Sequence, residues 1–339
     1  MGLWRFIIRR FMLSLVVLAL VSTGTFLLAQ AAPGDPVETL LGDRSAGNPE
    51  IRAAAERRYG FDKPIPVQFV TYISNLFRGD LGESISTRRP VMTDLKQFVP
   101  GTLELTLAAM AFALILGIPL GILAAVKRDR WPDTVARLVA LLGTSVPVFW
   151  LSLLLLYLFF FKLHWLPGPG RLDIGMEQPR KITGLITVDA LIAGDWAALW
   201  SAIKHLALPA IALGSFSMGM IVRMLRSSLL ASLNDDYVRT ARAKGLTERA
   251  VITRHALRNA MIPTVTIIGL TTASLLAGAV ITETIFSWPG IGRYGVDAAR
   301  KLDYPALFGV TLIVAVAYVT VSLIIDIIYA VLDPRIRVQ

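Results

Sequence analysis

Residues 105–126 read LTLAAMAFALILGIPLGILAAV, a run without a single charged side chain. A helix of that length rises about 33 Å at ~1.5 Å per residue, enough to cross a hydrocarbon core of about 30 Å. Backbone N–H and C=O groups in lipid must bond within their own segment, which a helix achieves. The run does not alternate apolar with polar residues, as a membrane-barrel strand would. Five further stretches are equally free of charge: Phe11–Gly34, Leu138–Phe161, His205–Val222, Asn259–Thr282 and Tyr304–Ile325. Over the 339 residues, 55% are hydrophobic and 17% charged, whereas about a quarter of a soluble domain is charged. The expected fold is an all-α integral membrane protein with six transmembrane helices.

The connections divide by charge. Pieces 1–10, 127–137, 223–258 and 332–339 hold 17 basic and 6 acidic residues. Pieces 31–103, 162–204 and 283–303 hold 17 basic and 16 acidic residues. Lys and Arg concentrate in the short cytoplasmic connections of membrane proteins, so both termini are expected in the cytoplasm. The net charge of +10 then reflects orientation, and nucleic acid is not an expected partner. Residues 1–34 form a cytoplasmic end and first span, and 35–100 a helical periplasmic segment. Residues 101–339 carry the other five spans, with a periplasmic loop at 162–204 and a cytoplasmic loop at 234–262. Short helices are expected over 49–59 and 66–77, and an interfacial helix over Trp196–Ile203. Pro119, Pro147, Pro209 and Pro263 interrupt spans, where each removes a backbone donor.

The chain has no cysteine, which excludes disulfides and thiolate metal sites. His164 and His205 fall at outer helix ends and His255 on the cytoplasmic side, so no metal site is expected. Ala29-Gln30-Ala31 resembles a signal-peptidase site behind a basic start. The apolar run is longer than a signal core, and cleavage would leave an odd number of spans. An uncleaved first helix is expected, with a cleaved signal as the alternative. Glu104 is expected in the first turn of the second helix, where a carboxylate suits the dipole. Asp326 is expected to partner a cytoplasmic arginine, and Glu283 and Arg293 to fix an outer turn.

The most informative connection is Asn234–Pro263, NDDYVRTARAKGLTERAVITRHALRNAMIP. It reads as two short helices broken at Gly245. Asn234 can cap the first and Thr247 the second, with Asp235, Asp236 and Glu248 at the positive helix ends. Gly245 can take the left-handed conformation that ends the first helix. An ordinary positive-inside loop accounts for the basic residues but not for caps at both helix starts.

This segment resembles the cytoplasmic coupling loop of ABC importer permeases. That pattern is Glu-Ala-Ala, three residues, Gly, nine residues, then Ile-x-Leu-Pro. Aligned on Gly245, it falls on Arg239, Thr240, Ala241 and then His255, Ala256, Leu257, Arg258. Ala241, Gly245 and Leu257 match, while the Glu, Ile and Pro are absent. RTARAKG followed by HALRNA is similar to the variant of the dipeptide and oligopeptide branch. Pro33-Gly34-Asp35-Pro36, Gly79-Asp80-Leu81-Gly82, Pro147-Val148-Phe149-Trp150, Asp303-Tyr304-Pro305 and the run from Thr282 to Gly292 extend the resemblance along the chain. Together they resemble the B-type permease subunit of the dipeptide/oligopeptide (peptide/nickel) importers.

The resemblance implies a type I ABC importer permease fold in the bacterial inner membrane. The implied partners are a second homologous permease, two ABC ATPase subunits, a periplasmic substrate-binding protein and a peptide substrate, with lipid around the spans. No G-x-x-x-x-G-K-[ST] loop is present, so a non-catalytic subunit is expected, with ATP and Mg bound by the partner ATPases. Gly245 would permit the turn, Ala241 and Ala256 close approach, and Leu257 packing of the second helix. Arg239, Arg242 and Lys244 would meet acidic or carbonyl groups on an ATPase, and Thr240 and His255 lie in the same loop. Ser145, Ser215, Met218 and Ser274 interrupt apolar spans and are candidate pathway residues, against helix packing as the competing reading. Glutathione, opines, haem and nickel chelates stand as alternative cargoes. An ion-coupled secondary transporter would favour several mid-membrane acids, and Asp326 is off-centre.

Overall fold

The computed structural model describes residues 3–31, 49–50, 53, 56, 62–277 and 279–332. Helix α1 spans Leu3–Ala31, α2 Ile65–Phe77, α3 Val91–Val126, α4 Trp131–Ser145 and α5 Val148–Leu155. A π-helical turn, Leu156–Lys162, continues α5. Then come α6 (Ile186–Ala193), α7 (Trp196–Leu233), α8 (Asp236–Ala243), α9 (Glu248–Ala250), α10 (Leu257–Leu276), α11 (Val280–Ile285), α12 (Ile291–Arg300) and α13 (Tyr304–Leu332). The expected helix at 49–59 lies mostly outside the described residues.

Among the described residues, five helical stretches are long and apolar enough to cross a membrane: Ile7–Leu28, Val91–Val126, Trp196–Leu233, Glu248–Leu276 and Tyr304–Ile328. The sixth expected span is not one straight helix. Trp131–Ser145 and Val148–Lys162 meet at a bend of 105°. Val146 and Pro147 are both extended there, with ψ of 124° and 134°. Of the four interrupting prolines, Pro147 alone coincides with this break; Pro119, Pro209 and Pro263 stay inside continuous helices. The difference lies in the surroundings. In a long span the neighbouring turns and packed helices hold the axis past one lost hydrogen bond.

Two further expectations change. Trp196–Ile203 is not a separate interfacial helix but the first two turns of α7, capped by Asp195, whose carboxylate accepts from Ala198 N at 2.9 Å. Helix α3 begins at Val91, ahead of the 100/101 boundary, so Glu104 sits well inside it. Its carboxylate pairs with Arg171 and accepts from Thr187 N and Oγ1, each at 2.7 Å. It ties α3 to the 162–204 loop instead of serving a helix start.

Helix α7 is the centre of the bundle. Of its apolar window 72% is buried, against 17% for α1 and 6% for α13. Small residues let its neighbours approach. A Cβ on Gly117 would meet Ile221 Cγ2 at 3.1 Å, and one on Gly219 would meet Ala140 O at 2.5 Å. Gly143 sits against the backbone of Ser215 in the same way. Between helices surrounded by lipid, packing replaces the hydrophobic effect as the main attraction, and small residues permit it.

The end of the bundle that carries Lys127–Arg130 and residues 234–256 is termed the basic end. The opposite end is tied by buried acids. Glu283 is fully buried and accepts from Thr102 Oγ1 at 2.7 Å and Arg293 N at 2.8 Å. Trp288 Nε1 donates to Gly101 O at 2.7 Å. Asp303 accepts from Ser84 Oγ at 2.5 Å and Ser86 N at 2.9 Å. Asp189 accepts from Thr183 N, Thr183 Oγ1 and Gly184 N. Burial opposes ionisation of Asp189, but these donors outweigh it and hold its carboxyl below the usual range. Glu283 and Asp303 take donors from segments far along the chain, while Asp189 closes the loop that leads into its own helix, so loops and helix ends are locked in place.

Gly219→Leu should therefore destabilise the fold by about 1–3 kcal/mol through overpacking against Ala140 and Thr144. Thermal unfolding of the detergent-solubilised protein would register it as a lowered midpoint.

Candidate functional site

At the basic end α7 does not stop in solvent. Its C-cap Asn234 donates from Nδ2 to Leu230 O at 3.0 Å. Asn234 therefore closes α7 and does not cap α8, contrary to the sequence expectation. Asp235 is the N-cap of α8, extended at φ −70° and ψ 152°, with no side-chain hydrogen bond. Asn234 lost the role because α7 runs right up to it.

Helix α8 ends at Ala243 with Lys244 as its C-cap, and Gly245 beyond it turns the chain with a φ of +78°. Gly245 N donates to Arg242 O at 2.9 Å and Leu246 N to Ala241 O at 3.4 Å, satisfying carbonyls of the last turn. Thr247 Oγ1 then accepts from Ala250 N at 3.4 Å and caps α9. The second helix is not a separate short element. It runs through a π-helical turn, Val251–Ala256, directly into α10. The result is a helical hairpin continuous with α7 on one side and α10 on the other.

An apolar core seats the hairpin. Val238, Ala241, Val251 and Ala256 pack with Leu225 and Leu229 of α7, Ala125 of α3 and Ala260 of α10. Leu257 and Met261 pack at its edge. Val238, Val251, Leu225 and Leu229 are wholly buried, and full burial of one such side chain is worth about 1.5–3 kcal/mol. Ala241 and Ala256 thus face inward and pack within the chain, so they are not surfaces for close approach by a partner. Val238 and Ala241, three apart on α8, are the sequence signal for that inward face.

One of the cations also differs from expectation. Arg242 forms a forked pair with Glu248, Nη2 to Oε1 at 2.7 Å and Nε to Oε2 at 3.1 Å, across the Gly245 turn. The hydrogen bond to Glu248 is the main cause that raises the Arg242 guanidinium above its ordinary value. It straps the hairpin instead of reaching outward. Arg239 pairs loosely with Asp236 at 3.3 Å, both exposed. Thr240, Lys244 and Gly245 are exposed, and His255 is half-buried. Tyr237 and Leu246 are also exposed at this surface, and sequence reasoning passed over both. An aromatic residue and a leucine within a charged stretch were the available signal.

The four pathway candidates do not form one line. Ser215 is buried, and its hydroxyl donates to Ile211 O of its own helix at 2.6 Å. Met218 is buried among Met110, Ala113, Ala140, Ile221 and Val222. Both belong to the packing of α7 within this chain. Ser145 and Ser274 are exposed, Ser145 beside the bend at Pro147. Asp326 in α13 meets Arg10 of α1 at 3.2 Å.

Residues 117–338 match the family of binding-protein-dependent transport system inner membrane components, and residues 3–106 match its N-terminal region. The chain belongs to that family and is a multi-pass inner-membrane component. It is 45% identical over 334 residues to the di/tripeptide transport system permease protein DppB of Pseudomonas aeruginosa, covering 98% of this chain and 99% of that one. It is 44% identical over 336 residues to the probable D,D-dipeptide transport system permease protein DdpB of Escherichia coli, covering 99% and 98%. The glutathione transport system permease protein GsiC of Salmonella choleraesuis is 36% identical over 333 residues, covering 98% of each.

The two kinds of contact in the hairpin should separate on mutation. Leu229→Ala should cost about 2–5 kcal/mol by emptying the seat of the hairpin, and limited proteolysis within 234–256 should accelerate. Arg242→Ala, breaking a half-exposed pair, should cost no more than about 1 kcal/mol and leave the proteolysis pattern close to that of the parent.

Proposed function

We propose that this chain is a non-catalytic permease subunit of an ATP-driven importer that carries dipeptides or short oligopeptides across the bacterial inner membrane by alternating access. The observation that carries the reading is the hairpin at Gly245. It is a compact, polar-surfaced projection with an apolar root in α3, α7 and α10. Such a shape can enter a cleft on another protein and transmit its movement to whole helices. The names of the relatives at 44–45% identity supply the cargo class.

On this reading the partners are two ABC ATPase subunits that bind ATP and Mg, a second homologous permease and a periplasmic binding protein. Gly245, Thr240, Lys244, Arg239 and the exposed Tyr237 and Leu246 form the surface toward the ATPase. Closure of the ATPases swings α7 and α10 as rigid bodies. Cargo passes between this chain and its partner permease, with Ser145 and Ser274 as candidate lining residues. Glutathione is the second reading, favoured by the relative at 36% identity. Competition of dipeptide uptake by glutathione separates the two.

Gly245 provides the test. A Cβ there would meet nothing within 4 Å, so a substitution is opposed by its φ of +78° and not by lack of space. Left-handed backbone costs a non-glycine residue about 1–2 kcal/mol, and a β-branched one more. Gly245→Val should abolish uptake in the reconstituted complex and uncouple its ATPase from loaded binding protein, while the chain remains inserted. Full uptake with full stimulation would reject the coupling assignment.

Orientation has its own measurement, helped by the absence of native cysteine. An impermeant thiol reagent should reach Thr240→Cys from the cytoplasm and Ile174→Cys, fully exposed in the 162–204 loop, from the periplasm. Labelling of both from one side would refute the topology.

A further inference from the structure

Asp133, in the first turn of α4, is completely buried. Its carboxylate accepts from Arg226 of α7 in a forked pair, from Nε at 2.7 Å and Nη2 at 2.8 Å. Arg137, one turn on, approaches it at 3.3 Å, and Asp129 N donates to it at 3.0 Å. The rest of the α4–α7 contact is of another kind. Further along, Ala140 and Thr144 back onto Gly219, and Gly143 backs onto Ser215. Small residues in close contact resist separation but offer little against sliding. A forked arginine–carboxylate pair sets both distance and direction.

The position of Arg226 matters as much as its partner. Leu225 and Leu229, on the same two turns of α7, hold the hairpin core. One stretch of α7 is therefore gripped by the hairpin on one side and by α4 on another. Helix α4 leads straight to the 105° bend at Val146–Pro147.

We propose that Asp133 and Arg226 are positioning residues that make α4 travel with α7, so that movement of the hairpin reaches the bend in the third span. This inference rests on the reading of the hairpin as the ATPase contact. Without the pair, the hairpin and α7 still move, but α4 lags and the bend does not follow. The alternative role is purely architectural, with Asp133 anchoring the start of α4 and nothing more. An architectural residue alters how much complex assembles; a positioning residue alters how much peptide moves for each ATP hydrolysed.

The experiment uses the complete reconstituted complex with its binding protein, measuring dipeptide uptake and ATP hydrolysis together. Asp133→Asn and Arg226→Gln should keep stimulated hydrolysis within about twofold while uptake per ATP falls about tenfold, within the range of known coupling effects. Arg226→Lys keeps the charge but not the fork, and should lose about threefold in uptake per ATP. It decides the matter if the other variants assemble poorly. In the Asp133→Cys/Arg226→Cys double variant, a short bifunctional thiol linker should restore uptake per ATP, because the link and not its charge is required. Assembled variants with unchanged uptake per ATP, or a bridged pair that recovers nothing, would overturn the proposal. Gly245→Val measured alongside separates the two failures. If Gly245→Val is fully active, the hairpin reading falls; if it is uncoupled while the Asp133 and Arg226 variants are not, the positioning role alone falls.

Discussion

The apolar contact between the hairpin and the last turns of α7 is the interaction on which the rest of this structure depends. Val238, Ala241, Val251 and Ala256 would form only a small amphipathic face by themselves, too small to hold a hairpin in water. Leu225, Leu229 and Ala125 complete the core from the ends of two spans. The hairpin is consequently an extension of the bundle with the stiffness of packed helices. The left-handed turn at Gly245 and the Arg242–Glu248 strap shape its tip, but they do not hold it in place.

The same logic of completion runs through the bundle. Helix α7 has its small residues where α3 and α4 cross it, and it is more buried than the other four straight spans. Lipid tails compete with apolar side chains on equal terms, so helices associate where backbones come close. At the end opposite the hairpin, buried carboxylates take over the task. Glu104, Glu283 and Asp303 each draw donors from a second segment, and Asp189 from the loop before its helix. Packing sets the spans, while buried carboxyl groups with hydrogen-bond donors set the loops. Removing a donor would leave a buried oxygen unsatisfied, which costs about 1–3 kcal/mol.

Much of this was legible in the chain itself. Charge-free runs mark the spans because lipid excludes charge and demands internal hydrogen bonds. Gly245 announced its own turn, since a left-handed residue between two capped helices is nearly always glycine. Thr247 was legible as a cap for the same local reason. Asn234 was not, although it is an equally good capping residue by type. Whether it closes one helix or opens the next depends on where α7 ends. Pro147 and Pro209 look alike in sequence, yet one lies at a sharp bend and the other inside an unbroken helix. Neighbouring helices make that choice, and no window of sequence contains them.

The sequence by itself determined the membrane class, the number of apolar stretches and the hairpin with its glycine turn. All three follow from interactions between residues close in the chain, or between residues and their solvent. Only the tertiary structure decided that Ala241 and Ala256 face inward, that Arg242 is held by Glu248, that Met218 is core, and that Asp133 meets Arg226 from 93 positions away. Each is a question of direction. A helix presents a different side chain every ~100°, and which face finds a partner is settled only when the other helices are in place.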